Sequence, residues 1–520
     1  MISDKKHRES ILLGGVFLLF LIISTYKLTN ASLWFDESIE YWYSKIMVGE
    51  LPFESSGTVN MYQRIISTFQ PPLYNVLMYF WLKISDSVWW FRFFGVVMGF
   101  IGMIGLYKAI FKATGNSYLA SCSVAFATFV YQLLYYWQEC AEYCIMLAGL
   151  FWTLYYWIAM IKEPNRKNLI GFTISAIIPI YSQYGSAFPV VIMGASLLII
   201  TWIEKNKKNL VDMIVAFGTA IIFAGIPLYV FFLKQQMNAL SGSRVSIADV
   251  NFEGGMLKDH INSFQQIFKW NLMSYYSDTA VQIFLVLILI MVVLVLIKGS
   301  KLSKNLILVN IFIWELYYLT VKLGIYSYGN FGNRYNTFFI PVWIVTFFVL
   351  VFEVYQLLGK VSLANKFELQ YIFTGSVIAF CLCFCFFSWN ARIQNNWTKE
   401  EARNVTEEWI KQTQNDKDTK TLIYYGANSG FAYYIRADEN FDESWENNVT
   451  YMPWFRSKSE EQWNDYLNAT YGSIWPDQLY VVATHINEND LDILSKQFTD
   501  KGYERTDIYK TRGFLLKFSR

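Results

Sequence analysis

Five short stretches hold the residues best suited to chemistry. Leu33-Trp34-Phe35-Asp36-Glu37-Ser38 sets two carboxylates side by side, and Phe69-Gln70-Pro71-Pro72-Leu73-Tyr74 follows it. Tyr136-Trp137-Gln138-Glu139 adds another carboxylate, Tyr181-Ser182-Gln183-Tyr184 a polar segment, and Gly329-Asn330-Phe331-Gly332-Asn333-Arg334-Tyr335 a single arginine. Carboxylates of this kind can take up a proton, and an arginine can hold an anion. Each stretch lies at or just beyond the end of an apolar run, so the elements that must position these residues are the runs themselves.

Those runs imply a polytopic α-helical membrane protein. A chain of 520 residues that is 54% apolar and 16% charged has more hydrophobic surface than one soluble core can hide. Apolar runs of about 17 to 22 residues read as membrane spans. They fall at 11–28, 88–107, 118–137, 143–161, 169–183, 185–203, 211–232, 280–297, 305–322, 335–355 and 371–389, about eleven helices in all. The first run follows Lys5, Lys6, His7 and Arg8; it is long for a signal peptide and has no clear small-residue cleavage site, so it reads as an uncleaved span. With the N-terminus inside, every inner connection is basic: Lys108 and Lys112; Lys162, Arg166 and Lys167; Lys205, Lys207 and Lys208; Lys298, Lys301 and Lys304; Lys360 and Lys366. That agreement needs an odd number of crossings. The short apolar segment 72–84 is therefore placed at the outer interface or in a re-entrant position. Ile39, Trp42, Tyr43, Ile46 and Met47 have the spacing of an amphipathic helix lying flat at the headgroups.

This pattern divides the chain into a membrane domain, 1–390, whose outer loop 31–87 carries interfacial helices, and an extracytoplasmic domain, 391–520. The second holds 16 basic and 21 acidic side chains. The segment 233–279, with Gly254-Gly255, should be a further outer loop. In the C-terminal domain, 421–425 and 479–483 read as buried strands followed by helices, 513–518 as a closing strand, and Ala402, Val405 and Trp409 as one face of a helix, giving a small α/β fold. Asn-x-Thr triplets at Asn396, Asn404, Asn448 and Asn468 are consistent with an exterior position. The basic residues form no stripe for nucleic acid. All six cysteines lie in or beside apolar runs, which argues against a disulfide framework, and three histidines argue against a His/Cys zinc cluster.

The five stretches, in this order, resemble the GT-C superfamily of membrane glycosyltransferases, in the branch of protein O-mannosyltransferases and lipid A aminoarabinose transferases. The resemblance covers 11–341. In that family an Asp-Glu pair follows the first span, a His- or Lys-Pro-Pro-Leu element precedes a short helix, and Gln-Glu-Ala-Arg-x-Tyr ends a later one. The pattern Gly426, Ala432, Tyr433, Tyr434 also looks like the outer domain of these enzymes. Two departures fall where the family carries cations: Gln70 stands for the His or Lys, and Ala141 of Gln138-Glu139-Cys140-Ala141-Glu142-Tyr143 for the Arg. Arg334, Arg92 and Arg64 remain as candidate phosphate ligands.

The resemblance implies a donor sugar on a polyprenyl or dolichyl phosphate, a glycan, lipid or protein acceptor, and inverting, metal-independent transfer at the outer face of the plasma membrane. It implies Asp36 as general base with Glu37 beside it; Arg334, Arg92 and Gln70 at the donor phosphate; and Glu139, Gln138, Tyr184 and Tyr335 in the acceptor network. No cofactor is expected, and a divalent cation is left open. Asp36 could instead cap the interfacial helix. Glu315, near the middle of the ninth predicted span, is the residue a proton-coupled transporter or lipid-glycan flippase would use.

Overall fold

The computed structural model describes residues 2–54, 57–68, 70–239, 256–326, 334–360, 366–395, 397–414, 419–453, 459–472 and 475–520. Phe69, Gly254, Gly255, 329–333 and Asn396 lie outside them. In chain order the helices of the first 394 residues are α1 (Ile2–Thr25), α2 (Phe35–Lys45), α3 (Met61–Ile66), α4 (Leu73–Trp81), α5 (Val88–Thr114), α6 (Ser117–Thr128), α7 (Tyr131–Gln138), α8 (Tyr143–Lys162), α9 (Arg166–Ile180), α10 (Ala187–Ile203) and α11 (Lys207–Ala220). The last runs through π-helical turns Ile221–Gly225 and Leu228–Leu233 into α12 (Lys234–Ala239), and α13 (Met256–Leu272), α14 (Asp278–Lys298), α15 (Lys301–Lys322), α16 (Phe339–Leu358) and α17 (Lys366–Gln394) follow. Short polar residues start many of them. Asn116, Asn165, Asn206, Ser277 and Ser300 each accept a hydrogen bond from the backbone N–H three residues on, which satisfies one orphan donor at the helix start.

Among the described residues eight helices are long and apolar enough to cross a membrane, and a ninth results if α6 and α7 form one broken span. The chain is an integral membrane protein. All eleven predicted runs are helical, but not all are regular spans. The run 118–137 is not straight: α6 and α7 meet at 68°. No proline or glycine marks the break. The Thr128 hydroxyl instead bonds back to the Val124 carbonyl, and Val130 is extended. The runs 169–183 and 305–322 correspond to α9, of 15 residues, and α15, whose apolar sequence is interrupted by Asn310 and Glu315. Neither combines the length and apolarity of the other spans. Helix α4, with nine residues, is too short to cross.

Two compact units interleave along the sequence: Met1–Tyr26, Ile65–Tyr74 and Arg92–Gln394 form one, and Lys27–Arg64, Asn75–Phe91 and Asn395–Arg520 the other. At the centre of the first lies α8, apolar on all sides and packed against α9, α10, α15 and α16. By contrast α14 has only Val281 and Val295 fully buried, as suits a helix with one side to lipid.

The second unit contains α2 and an α/β fold made of α18 (Ala402–Thr413), β1 (Lys420–Ile423), α19 (Asn428–Arg436), β2 (Val449–Tyr451), α20 (Glu460–Tyr471), β3 (Gln478–Ala483), α21 (Glu488–Thr499), β4 (Glu504–Lys510) and β5 (Phe514–Ser519). The sheet order is β2-β1-β3-β5-β4, with β1 parallel to both β2 and β3, and β5 antiparallel to β3 and β4. Side chains alternate across it. Leu422, Val481 and Leu516 face α20 and α21, whereas Ile423, Val482 and Leu515 face α18 and α19. Three of the five strands match the sequence expectation. Strand β4 reads as polar because it is an edge strand with most side chains exposed.

Glu401, just before α18, links this sheet to its helices. Partial burial alone would raise its pKa, but hydrogen bonds from the Thr511 and Tyr509 hydroxyls and the Arg512 N–H outweigh that and hold it below the ordinary glutamate value of 4.5. A depressed folded-state pKa contributes stability that is present above the unfolded value and lost as pH falls through the folded one. Thermal scans of the whole chain below pH 4.5 are therefore expected to show a steeper acid loss in the wild type than in Glu401→Gln. Identical slopes would contradict this assignment.

Candidate active site

In the first unit the connection between α7 and α8 is buried, and it carries the third candidate stretch. Gln138 is 5% exposed, Glu139 7% and Glu142 3%. The Gln138 Nε2 donates to the carbonyls of Ser24 (2.7 Å) and Tyr26 (2.9 Å), which end α1. Its Oε1 accepts from Arg392 Nη2 at 3.0 Å, and the same nitrogen donates to the Tyr26 carbonyl at 3.1 Å. Arg392, near the end of α17, is 1% exposed and lies over the Tyr26 ring. Its electrostatic neighbours include Arg92, itself buried, so two guanidinium groups share this region. Helix α5 reaches the same connection closely: a Cβ on Gly95 would lie 2.6 Å from the Trp137 carbonyl oxygen.

A second cluster surrounds Arg334, in the 3-10 turn Arg334–Asn336 that leads into α16. Its guanidinium lies 5.7 Å from the centre of the Tyr335 ring. Tyr136 and Tyr143 both feel the charges of Arg334 and Glu142, and Tyr136 also that of Glu139. Glu139 accepts a 2.5 Å hydrogen bond from Tyr135 Oη. Tyr326 donates to the Tyr335 carbonyl at 2.9 Å and receives the Gln183 amide at 3.2 Å. One arginine thus stands among two buried carboxylates and several phenols, an arrangement able to bind an anion and orient a hydroxyl.

Gln70 and Tyr184 meet through a third residue. Gln236 Nε2 donates to the Gln70 carbonyl at 2.7 Å, and Tyr184 Oη donates to Gln236 Oε1 at 2.8 Å. The Gln70 side-chain oxygen is buried without a hydrogen-bond partner among the described residues.

The second unit holds Asp36 and Glu37 in the first turn of α2, where carboxylates complement the helix N-terminus. Asp36 is half-buried and Glu37 2% exposed. Asp36 is not the cap: the helix begins at Phe35, and Trp34 precedes it without a side-chain cap bond. The buried side of α2 shares only Trp42 with the expected apolar stripe. It consists of Glu37, Ser38, Glu40, Tyr41, Trp42 and Ser44, because hydrogen-bond partners await it: Asn75 for Glu40 (2.9 Å), and Ser429 for Ser38 (2.7 Å) and Trp42 (2.9 Å). Arg64 is engaged by the Gly49 carbonyl at 3.0 Å and by Glu54.

Within the first unit the structure therefore brings Glu139, Tyr335 and Arg334 into one electrostatic neighbourhood, joins Gln138 to Arg392 beside Arg92, and ties Gln70 to Tyr184. Sequence reasoning overlooked Arg392, Tyr136, Tyr143 and the role of Glu142. The segment Gln138 to Tyr143 already displayed two of them, whereas Arg392 closes an apolar run and looks like an interfacial anchor. Glu315 lies 3.1 Å from His260 Nε2, which accepts from Trp314 Nε1 at 2.9 Å; Glu315 also borders a cavity of about 620 Å³ walled by α13, α14, α15 and α16. No group of three His, Cys, Asp or Glu side chains suited to a metal occurs among the described residues.

The same fold occurs in solved structures. ArnT from Cupriavidus metallidurans, an aminoarabinose transferase, aligns in its apo state with a TM-score of 0.58 over 98% of this chain and 97% of that one, at 10% identity. Bound to undecaprenyl phosphate it gives a TM-score of 0.54 with the same coverage and identity. The Archaeoglobus fulgidus oligosaccharyltransferase is more distant, with a TM-score of 0.48, 12% identity, and coverage of 96% of this chain and 72% of that one. No family model and no curated protein sequence matches the chain. The likeness is one of fold: over nearly its whole length this chain folds as ArnT does.

Two substitutions test the packing around Gln138. Gly95→Ala must displace the Trp137 carbonyl and is expected to destabilise by about 1–3 kcal/mol, whereas Gly14→Ala, with open space around it, is not. Arg392→Leu takes the donor from the buried Gln138 Oε1 and one of two donors from the Tyr26 carbonyl, with a loss of about 1–3 kcal/mol, and Arg392→Lys recovers only part of it. Detergent-phase melting temperatures check both, and unchanged values would refute the assigned contacts.

Proposed function

We propose that the chain is a membrane glycosyltransferase that moves a sugar from a polyprenyl-phosphate carrier to a hydroxyl-bearing or similar acceptor. The observation that carries this reading is the likeness in fold, over nearly the whole chain, to ArnT, one of whose structures binds undecaprenyl phosphate. The cluster of Arg334 with Glu139, Glu142 and tyrosines supports it, since a leaving phosphate needs cationic and hydroxyl donors.

In the proposed reaction Asp36 takes the proton of the acceptor nucleophile as that atom bonds to the anomeric carbon. The bond from that carbon to the phosphate oxygen breaks, and the polyprenyl phosphate leaves with the electron pair. A single displacement of this kind inverts the anomeric centre and asks nothing of a metal. Arg334, Arg92 and Gln70 are assigned to the phosphate, and Glu37 supports the base. Glu139, Gln138, Tyr184 and Tyr335 orient the acceptor. The basic connections support an orientation with the N-terminus inside and the C-terminal domain outside the plasma membrane. Glu315, on which a carrier or flippase would depend, lies beside His260 at the edge of the cavity walled by α13, α14, α15 and α16.

The test is consumption of polyprenyl-phosphate sugars by the purified full chain, supplied with native lipid extract and a mixed acceptor fraction. Turnover by the wild type and a loss of about 100-fold or more in Asp36→Asn are expected. Equal turnover in both would move the base to Glu37 or Glu139. A wild type inactive on every donor, yet moving lipid-linked glycans in a manner abolished by Glu315→Gln, would overturn the enzyme reading in favour of the carrier.

A further inference from the structure

The second unit contains a crevice of the type that binds ligands in open α/β sheets, and the chain itself fills it. Such crevices lie beyond the carboxyl ends of neighbouring parallel strands whose following helices go to opposite faces of the sheet. Strands β1 and β3 meet that description: α19, after β1, packs on the face of Val405 and Trp409, and α21, after β3, on the face of Trp463 and Leu467. The strand ends approach so closely that a Cβ on Gly426 would lie 2.7 Å from the Thr484 carbonyl oxygen and 2.8 Å from His485 Cβ. Phe35 occupies the site. Its ring stacks on His485, with centroids 4.7 Å apart and planes at 17°, and stands edge-on to Tyr425 at 6.2 Å.

Phe35 is the first residue of α2, and its backbone N–H is one of the orphan donors of that helix. Glu400, whose carboxylate is buried, supplies the acceptor: Oε2 receives the Phe35 N–H at 3.0 Å, and Oε1 lies 2.5 Å from His485 Nδ1. His485 holds this position with φ of +51°, a left-handed conformation uncommon for residues other than glycine and typical of constrained functional positions. Further contacts continue the grip on either side: Tyr434 Oη accepts the Leu33 N–H at 2.7 Å, and Ser429 bonds Ser38 and Trp42.

We propose that Glu400 and His485 are positioning residues that fix the first turn of α2, and through it the carboxylate of Asp36. The proposal rests on the reading of Asp36 as general base. It gives the C-terminal domain a task inside the reaction: its crevice binds the base-bearing segment of its own chain. A carboxylate cap held by an imidazole sets both the tilt of α2 and the rotation of its first turn, and proton transfer is sensitive to shifts of about 1 Å, which can lower rates about 100-fold.

Two readouts on the full-length chain test this. Hydrogen exchange of the backbone amides in 34–38 should accelerate at least about tenfold in Glu400→Ala, because the local opening free energy falls. In the donor-consumption assay with polyprenyl-phosphate sugars, kcat should fall by about 100-fold with KM for the donor changed less than about threefold, the pattern of lost transition-state alignment and not of lost binding. Glu400→Gln, which keeps an acceptor for Phe35, and His485→Asn, which tolerates the left-handed backbone, should recover part of both effects; they also replace Glu400→Ala if that variant does not fold. Unchanged exchange in all three, or unchanged kcat while Asp36→Asn is inactive, would overturn the proposal and leave the base assignment standing. Full turnover by Asp36→Asn would instead overturn the base assignment, and exchange alone would then decide whether the clasp exists.

Discussion

A helix that ends within an apolar interior leaves its last carbonyls without donors, and in this chain the end of α1 is answered by two side chains from distant helices. Gln138 and Arg392 both donate to the Tyr26 carbonyl, and Gln138 also reaches Ser24. These bonds lock the ends of α1, α7 and α17 together where water does not compete, so each bond is stronger and each omission more expensive than at a surface. The break between α6 and α7 acquires its purpose from this requirement. A straight helix would carry Gln138 in a different direction, and Glu139, which follows it, would not share the neighbourhood of Arg334.

Buried carboxylates follow the same rule in both units. Glu139 takes the Tyr135 hydroxyl, Glu40 the Asn75 amide, and Glu400 a backbone N–H together with an imidazole. An acid removed from water is tolerated only when donors replace its hydration. The polar buried side of α2 therefore needs a polar partner, and Ser429, Asn75 and Glu400 provide one. This explains why a helix that reads as amphipathic toward lipid buries acids and serines together with Tyr41 and Trp42.

Gln70 and Ala141, the two positions where the resembled enzymes carry cations, are placed by the same demand for hydrogen-bond partners. Gln70 directs its backbone carbonyl, not its side chain, into a hydrogen-bonded chain with Gln236 and Tyr184. Ala141 leaves the α7 to α8 connection without a cation of its own, yet Arg392 enters from α17 and contacts that connection at Gln138. Positive charge is thus present near the connection although it does not come from within it.

By itself the sequence determined the membrane class, the positions of the helical runs, the α/β character of the last part and the adjacent pair Asp36 and Glu37. These are properties of local composition and spacing: lipid demands about 20 apolar residues per crossing, and a strand buried on both faces demands an uninterrupted apolar run. Edge strand β4 escaped because one exposed face removes that signal, and the α6–α7 break escaped because neither proline nor glycine marks it. Tertiary structure alone decided that Arg392 meets Gln138 across 254 positions, that Glu400 caps a helix 365 positions away, and that His485 pairs with it across another 85. The reason is physical: a side chain's hydrogen-bonding capacity is written in its type, but the partner that satisfies it is chosen by how separate elements pack, and no local pattern encodes that choice.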